Sequence, residues 1–286
     1  MSQTTQRTQE RLGRPGQPAQ AAPPNSITRI AEGAMRPGDL AIRGDDSSSS
    51  GKGARPLAAA AAADADGIVV SLASTAGTQT ISGAGLDGAI GGDLMLPGRN
   101  LEFVFDGSTD WDPTTITVTG EDENGDVITE DFAVATSTTT TGSKTFRRVT
   151  SIAVPAQTGT GGTATVGTGT LLGPLTSADV LGMVRYLAAR ETAEGATAEF
   201  AQYDVLAIVR EGLMWVEVEE AVADGERVFV RLVTSGAEAI NGYRNDRDGT
   251  AAAPDCVPVK GMRFHGDSES RDGVIMAVVS MDLLAG

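Results

Sequence analysis

Apolar residues along this chain recur mostly at alternate positions, in short runs separated by Gly, Pro, Asn, Asp and Ser. That period of two predicts strands rather than helices. The stretch 115–134 (TITVTGEDENGDVITEDFAV) carries the clearest pattern: Ile116 and Val118 alternate with Thr115, Thr117 and Thr119, and Phe132 and Val134 continue a return strand. Asn124-Gly125 between them favours the positive φ of a hairpin turn. Strands are likewise predicted at GIVVSLAS (67–74), LEFVFDG (101–107), TFRRVTSIAVPA (145–156), TATVGTGTLL (163–172), VFVRLV (228–233) and GVIMAVVSMDL (273–283). Residues 203–222 read as two strands around Glu211-Gly212, and 27–43 as two short strands and a turn. The alanine run 58–63 has the composition of a helical turn. Residues 175–190 fit either a short helix capped by Ser177 or Asp179 or a bent strand, and both stay open. Regular short strands with turn signals between them predict a sandwich or barrel.

The ends and loops differ in character. Residues 1–26 are rich in Gln, Pro, Thr and Ala without a sustained apolar period, which predicts an extended arm, disordered unless it docks on something. DDSSSSGKG (45–53) is a flexible loop by composition. No apolar run approaches the ~20 residues of a membrane span, and no apolar stretch follows the N-terminal arginines as a secretory signal requires. A soluble protein made in the cytoplasm is expected.

Charge and rare residues narrow the chemistry. The 286 residues carry a formal net charge of −16, which argues against a surface that neutralises phosphates. By segment the charge is +3 for 1–63, −10 for 64–174 and −9 for 175–286, so the N-terminal part alone is basic. One cysteine, Cys256, rules out an intrachain disulfide framework. One histidine, His265, rules out multi-histidine metal sites and most histidine relays.

The remaining motifs do not assemble a site on paper. GAGLDG (83–88) matches GxGxxG, but the following AIGGDLMLPG cannot be the helix that cradles a pyrophosphate. TGSKT (141–145) lacks the upstream glycine of a phosphate loop, because Ser137 stands there. DENGD (122–126) has Val127 where a calcium loop needs glycine and reads as a hairpin tip with solvated charge. Cys256 and His265 lack an orienting third group. RGD at 43–45 is short enough to recur by chance. Glu217 and Glu219 share a strand face as a glycosidase pair would, yet Trp215 and the neighbouring valines fit an ordinary barrel strand better.

Two discontinuous stretches resemble the structural cement protein family of tailed phages. The first is GRPGQPA (13–19) with ITRIAEGAMRPGDLAIRG (27–44). The second is LGMVRYLAARETAEGATAEFAQYDVLAIVREGLMWVEVEEAVADGERVFVR (181–231), resumed at VPVKGMRF (257–264) and GVIMAVVSMDL (273–283). Between them ADGIVVSLASTAGTQTISGAGLDG, DENGDVITEDF and SIAVPAQTGTGGTATVGTG look like a β-module that recurs in phage virion proteins. The resemblance implies a mainly β fold. Its parts would be an extended arm (1–26), a discontinuous β-barrel or jelly-roll-like capsid-binding body (27–63 and 175–286) and an inserted Thr/Gly-rich β-sandwich module (64–174). It also implies no catalytic residues and no cofactor; the residues themselves assign no metal site.

The expected function is therefore that of a virion structural protein. It would bind the outside of the assembled capsid and stabilise it by bridging major capsid protein subunits, with a homo-oligomer (dimer or trimer) as the working unit and no nucleic-acid or membrane partner. Arg7, Arg11 and Arg14 on the arm, Arg29 and Trp215 are the candidate interface residues. Alternation places Leu213, Trp215 and Glu217 on one face of their strand and Met214, Val216 and Val218 on the other. A glutamate beside tryptophan is costly in a dry core, so Trp215 is expected near the rim of an interface. The alternative is a host- or carbohydrate-binding virion module, for which Trp111, Phe103, Phe105, Phe132 and Phe146 would have to supply an aromatic platform.

Overall fold

A computed structural model of the chain describes residues 14–19, 25–43, 53–134, 136–186, 199–236, 238–271 and 273–283. These residues are nearly all β, with no α-helix among them. Eighteen strands follow in order: β1 Asn25–Ala31, β2 Leu40–Arg43, β3 Gly53–Pro56, β4 Asp64–Ala73, β5 Gln79–Ser82, β6 Arg99–Phe105, β7 Thr115–Glu121, β8 Val127–Ala133, β9 Thr139–Thr141, β10 Arg148–Val154, β11 Thr163–Leu172, β12 Val180–Val184, β13 Val205–Val218, β14 Arg227–Arg231, β15 Tyr243–Arg244, β16 Cys256–Phe264, β17 Glu269–Arg271 and β18 Val274–Asp282.

Ten strands form one sheet, and its pairings close on themselves. The circuit β13-β15-β14-β16-β18 returns to β13 and makes a five-stranded barrel. Strands β1, β3, β2, β12 and β13 close a second five-stranded circuit, around a smaller core, on the other end of the same strand. Of the two architectures expected for the body, the closed barrel is the one observed. β13 is long enough to serve both circuits: residues 205–211 pair with β1, and residues 211–218 pair with β18. Leu206 and Ile208 point into the smaller core and Met214, Val216 and Val218 into the larger, which Val209 also enters.

The expected pair of strands around Glu211-Gly212 is thus a single strand. A Glu-Gly pair reads locally as a turn, but Glu211 pairs with both Asn25 and Asp282, and Gly212 pairs with Met281. Ladders on distant strands keep the chain extended there. The alanine run forms no helical turn either. The Ala60 amide donates to the Leu232 carbonyl, and the buried Arg99 guanidinium donates to the carbonyl of Ala61. In 175–190 the strand reading holds for β12. Asp179 caps a turn before it, accepting from the Thr176 amide and hydroxyl at 3.1 Å each, and residues 187–198 lie outside the described part.

Residues 64–172 build two four-stranded sheets, β5-β10-β7-β8 and β4-β11-β6-β9. Their inward faces share one core running from Ile68 to Val166, in which the rings of Phe103 and Phe132 meet across the sheets at 4.7 Å. The hairpin predicted at Asn124-Gly125 joins β7 and β8. It is a three-residue loop: the Gly125 amide donates to the Asp122 carbonyl at φ +86°, the geometry in which glycine at the third loop position is favoured. GAGLDG forms a single 3-10 turn at Gly83–Gly85.

Candidate interaction surfaces

The arm is where sequence and structure meet most directly. Residues 14–19 lie along β13 of their own chain. The Gly16 amide donates to the Trp215 carbonyl at 2.8 Å, the Trp215 amide to the Gln17 carbonyl at 2.9 Å, and the Ala19 amide to the Leu213 carbonyl at 2.8 Å. On its other edge Trp215 pairs with Val278 of β18. This part of the arm, expected to be extended and in need of a docking surface, finds that surface on the body.

Close backbone packing locks the clasp. Gly16 (φ +74°) and Gly38 (φ +93°) belong to the two Arg-Pro-Gly turns quoted in the resemblance, and they touch: a Cβ on Gly16 would sit 2.6 Å from both the Gly38 nitrogen and the Val184 oxygen. Only glycine fits such an approach and adopts that backbone without strain. The buried Tyr243 hydroxyl donates to the Gly38 carbonyl at 2.7 Å, tying the same turn to the larger barrel. Burial pushes the Tyr243 phenol well above its usual range, with Asp39 adding to the shift.

Of the five expected interface residues, two are brought together. The Arg14 guanidinium donates to the Tyr186 hydroxyl at 2.9 Å and lies 5.6 Å from that ring's centroid, a cation–π arrangement beside the clasp on Trp215. Trp215 is half-buried on the outer face of β13 with Leu213 and Glu217, while Met214, Val216 and Val218 point inward, as the alternation predicts. Arg29 is half-buried on the side of β1 shared with Ile27 and Ala31, and donates to the Thr28 carbonyl. Its register partner is Leu206, roughly 30 Å along β13 from Trp215 at about 3.3 Å per residue. Arg7 and Arg11 lie outside the described residues.

Sequence reasoning missed three features. Ile30 and Val205 are register partners, both outward, and Tyr203 beside them is 76% exposed at φ +73°. The second feature is an ion network on the outward side of β14, opposite Val228 and Val230 of the larger core. Arg231 is fully buried and forked onto Glu219 (Nε to Oε1 and Nη2 to Oε2, both 2.7 Å), with Asp248 at 2.6 Å. Arg244 adds contacts to Glu219, Glu220, Asp246 and Asp248. Hydrogen bonding to Glu219 raises the Arg231 pKa, and the bond from Arg231 holds Asp248 below the usual carboxylate range. The third is a basic cleft, described below.

In that network Glu219, the proposed partner of Glu217, is clamped by Arg231 and Arg244. Glu217 is exposed and does not share that environment. Cys256 is buried, and burial pushes its thiol up to about 12. It opens β16, whereas His265 follows that strand's other end, beyond the break in register at Gly261. At the DENGD tip, Asp122 accepts from the Asn124 and Asp126 amides. Its neighbour Glu123 is not simply solvated: Lys260 donates to Glu123 at 2.9 Å and to Asn124 at 3.1 Å, and the Thr176 hydroxyl donates to the Glu123 carbonyl. The tip therefore docks on the larger barrel. The aromatic side chains Phe103, Phe105, Trp111, Phe132 and Phe146 are all buried, so none supplies a sugar-binding platform.

A closed barrel that spends its buried charge on internal clamps and its arm on its own outer strand defines a β structural body. Residues 123–279, more than half the chain, match the model of the structural cement protein family (E217 gp24/Pam3 gp6), and the chain belongs to that family. It is accordingly a phage structural protein associated with the capsid. The match starts within the β7–β8 loop and runs through the larger barrel into β18; it does not extend to residues 13–44, which carried the first half of the resemblance. No curated protein matches the chain. Among the described residues no helix is long and apolar enough to cross a membrane, and no group of His, Cys, Asp and Glu converges as a metal site.

Proposed function

We propose that this protein binds the outside of the assembled capsid and reinforces it by bridging major capsid protein subunits, without enzymatic activity, cofactor, nucleic acid or membrane. Membership of the cement family over residues 123–279 carries the reading. The working unit is a homo-oligomer, and residues 64–174 are a module inserted between the two parts of the body (27–63 and 175–286). The single core shared by residues 68–166 supports that division.

The physics suits the role. A capsid seam is one weak contact repeated many times. An interface of about 800 Å² per partner is modest alone, but an oligomer that engages several symmetry-related sites gains avidity from effective concentration. The half-buried Trp215, beside the clasped arm, is the residue of the kind that anchors such interfaces.

The test is co-sedimentation of the purified chain with isolated shells lacking it, followed by heating of the decorated and bare shells. Saturable binding with a raised shell disruption temperature is expected. Absence of the chain from the shell pellet would refute the reading.

A further inference from the structure

We infer that a cleft on the outer face of the larger barrel is a docking site for an extended, carboxylate-rich protein segment presented by the capsid shell. The source of that segment rests on the capsid-binding reading above; its chemistry rests on the cleft.

The cleft has a volume of about 640 Å³. Arg227 from β14, Arg263 and Lys260 from β16, and Arg247 from the β15–β16 connection line it, with Asp282 as the acidic lining residue. Four cations converge here on a chain whose net charge is −16. Solvation alone gives no reason to gather them, since cations scattered over an acidic surface would be stabilised by neighbouring carboxylates.

The strand register sharpens the point. Arg227 and Arg263 are direct partners across β14 and β16. Directly opposed side chains on antiparallel strands point the same way with Cβ atoms about 5 Å apart, and like charges in that relation destabilise the pair. Arg263 donates to the Gly225 carbonyl, but among the described residues neither Arg227, Arg247 nor Arg263 forms an ion pair. Lys260 is partly neutralised by Glu123 of the docked hairpin tip. Three guanidinium groups thus face the cleft without a carboxylate partner.

The walls and floor indicate what would match them. Pro174 and Pro258, both half-buried, give the cleft an apolar base. Guanidinium groups take carboxylates in bidentate pairs, and an apolar base accepts the aliphatic stems between them. A small inorganic anion would leave that base unused. A nucleic acid binds by neutralising a long run of phosphates, and four cations gathered in one cleft cover only a short part of such a run. An acidic peptide segment with interspersed aliphatic residues uses both.

The experiment uses the full chain and a fluorescein-labelled twelve-residue peptide of alternating Glu and Leu, followed by anisotropy, beside shell co-sedimentation. The wild-type chain should bind the peptide, more weakly as salt rises. Arg227→Glu puts opposite charges across the strand pair, so its melting temperature should hold or rise while peptide affinity falls at least tenfold and shell binding weakens. Arg247→Gln, outside the strands, should weaken peptide binding at least threefold and guards against a folding effect of the first variant. Equal peptide binding by wild type and both variants, no binding by wild type, or tighter binding of a labelled twelve-nucleotide thymidylate strand would overturn the inference. If wild type and Arg227→Glu co-sediment equally with shells, the cleft is not the docking site although the capsid reading stands. If wild type binds the peptide but no shells, the capsid reading fails, and the source named here fails with it.

Discussion

Glu219→Gln tests whether the ion network is a structural clamp. Arg231 is 0% exposed and Glu219 is 7% exposed, and they meet in two parallel 2.7 Å contacts. Removing one partner of a buried pair leaves the other charge without compensation and costs about 3–5 kcal/mol. Asp248 still reaches Arg231 at 2.6 Å after the change, so the lower end applies: about 3 kcal/mol, or roughly a hundredfold in the folded-to-unfolded ratio. Arg231→Met removes the buried cation itself and fills similar space with an apolar chain, while Arg244 remains 3.3 Å from Glu219. It should cost less, about 1–2 kcal/mol. The assay is equilibrium urea unfolding followed by tryptophan fluorescence in a Trp111→Phe background, so that Trp215 alone reports the barrel. A loss below about 1 kcal/mol for Glu219→Gln, or a larger loss for Arg231→Met, would refute the argument that an orphaned buried charge dominates.

Other substitutions separate folding from binding. Gly16→Ala must fit a Cβ 2.6 Å from two backbone atoms at φ +74°, so a loss of about 2 kcal/mol is expected; an unchanged melting curve would mean that the arm is not clasped as described. Trp215→Ala should reduce shell binding or self-association by about 2 kcal/mol or more with a smaller effect on melting, and the reverse pattern would make it a residue of the fold alone. Replacing 64–174 with a short Gly/Ser linker should leave two pieces that each melt cooperatively by circular dichroism; if neither does, the boundary is wrong. Cys256, buried with its thiol pushed up to about 12, should resist a thiol-disulfide reagent at pH 8 in the folded chain and react once urea unfolds it, and rapid native-state labelling would contradict that burial.

What the sequence reveals and what it hides divides by range. Ile116 and Val118 alternating with threonines needs only neighbours to be read, so β7, β8 and their turn are legible, as is the outward face of Trp215. The continuity of β13 is not. Its Glu-Gly pair has a local turn signature, and the decision belongs to β1 and β18, one far upstream and the other far downstream. Arg231 is hidden for the same reason: in VFVRLV it looks like one more exposed strand residue, and its partners Glu219 and Asp248 come from outside that strand. The cleft depends on Arg227 and Arg263 becoming opposed across two strands, a fact of register that no window along the chain contains. Gly16 and Gly38 stand far apart in the sequence; that they lean on one another, glycine against glycine, follows only from the closure of the smaller barrel.

The strand shared by the two barrels has a mechanical consequence. β13 enters one closed circuit at Val205 and leaves the other at Val218 without interruption, zipped to β1 by six register pairs and to β18 by eight. A pull that tries to draw the barrels apart along that strand loads each ladder lengthwise, so its bonds must yield together rather than one after another. The chain thus contains a tie rod anchored at both ends, a stiff member of the kind a reinforcement needs if it is to carry tension across a joint instead of bending at a hinge.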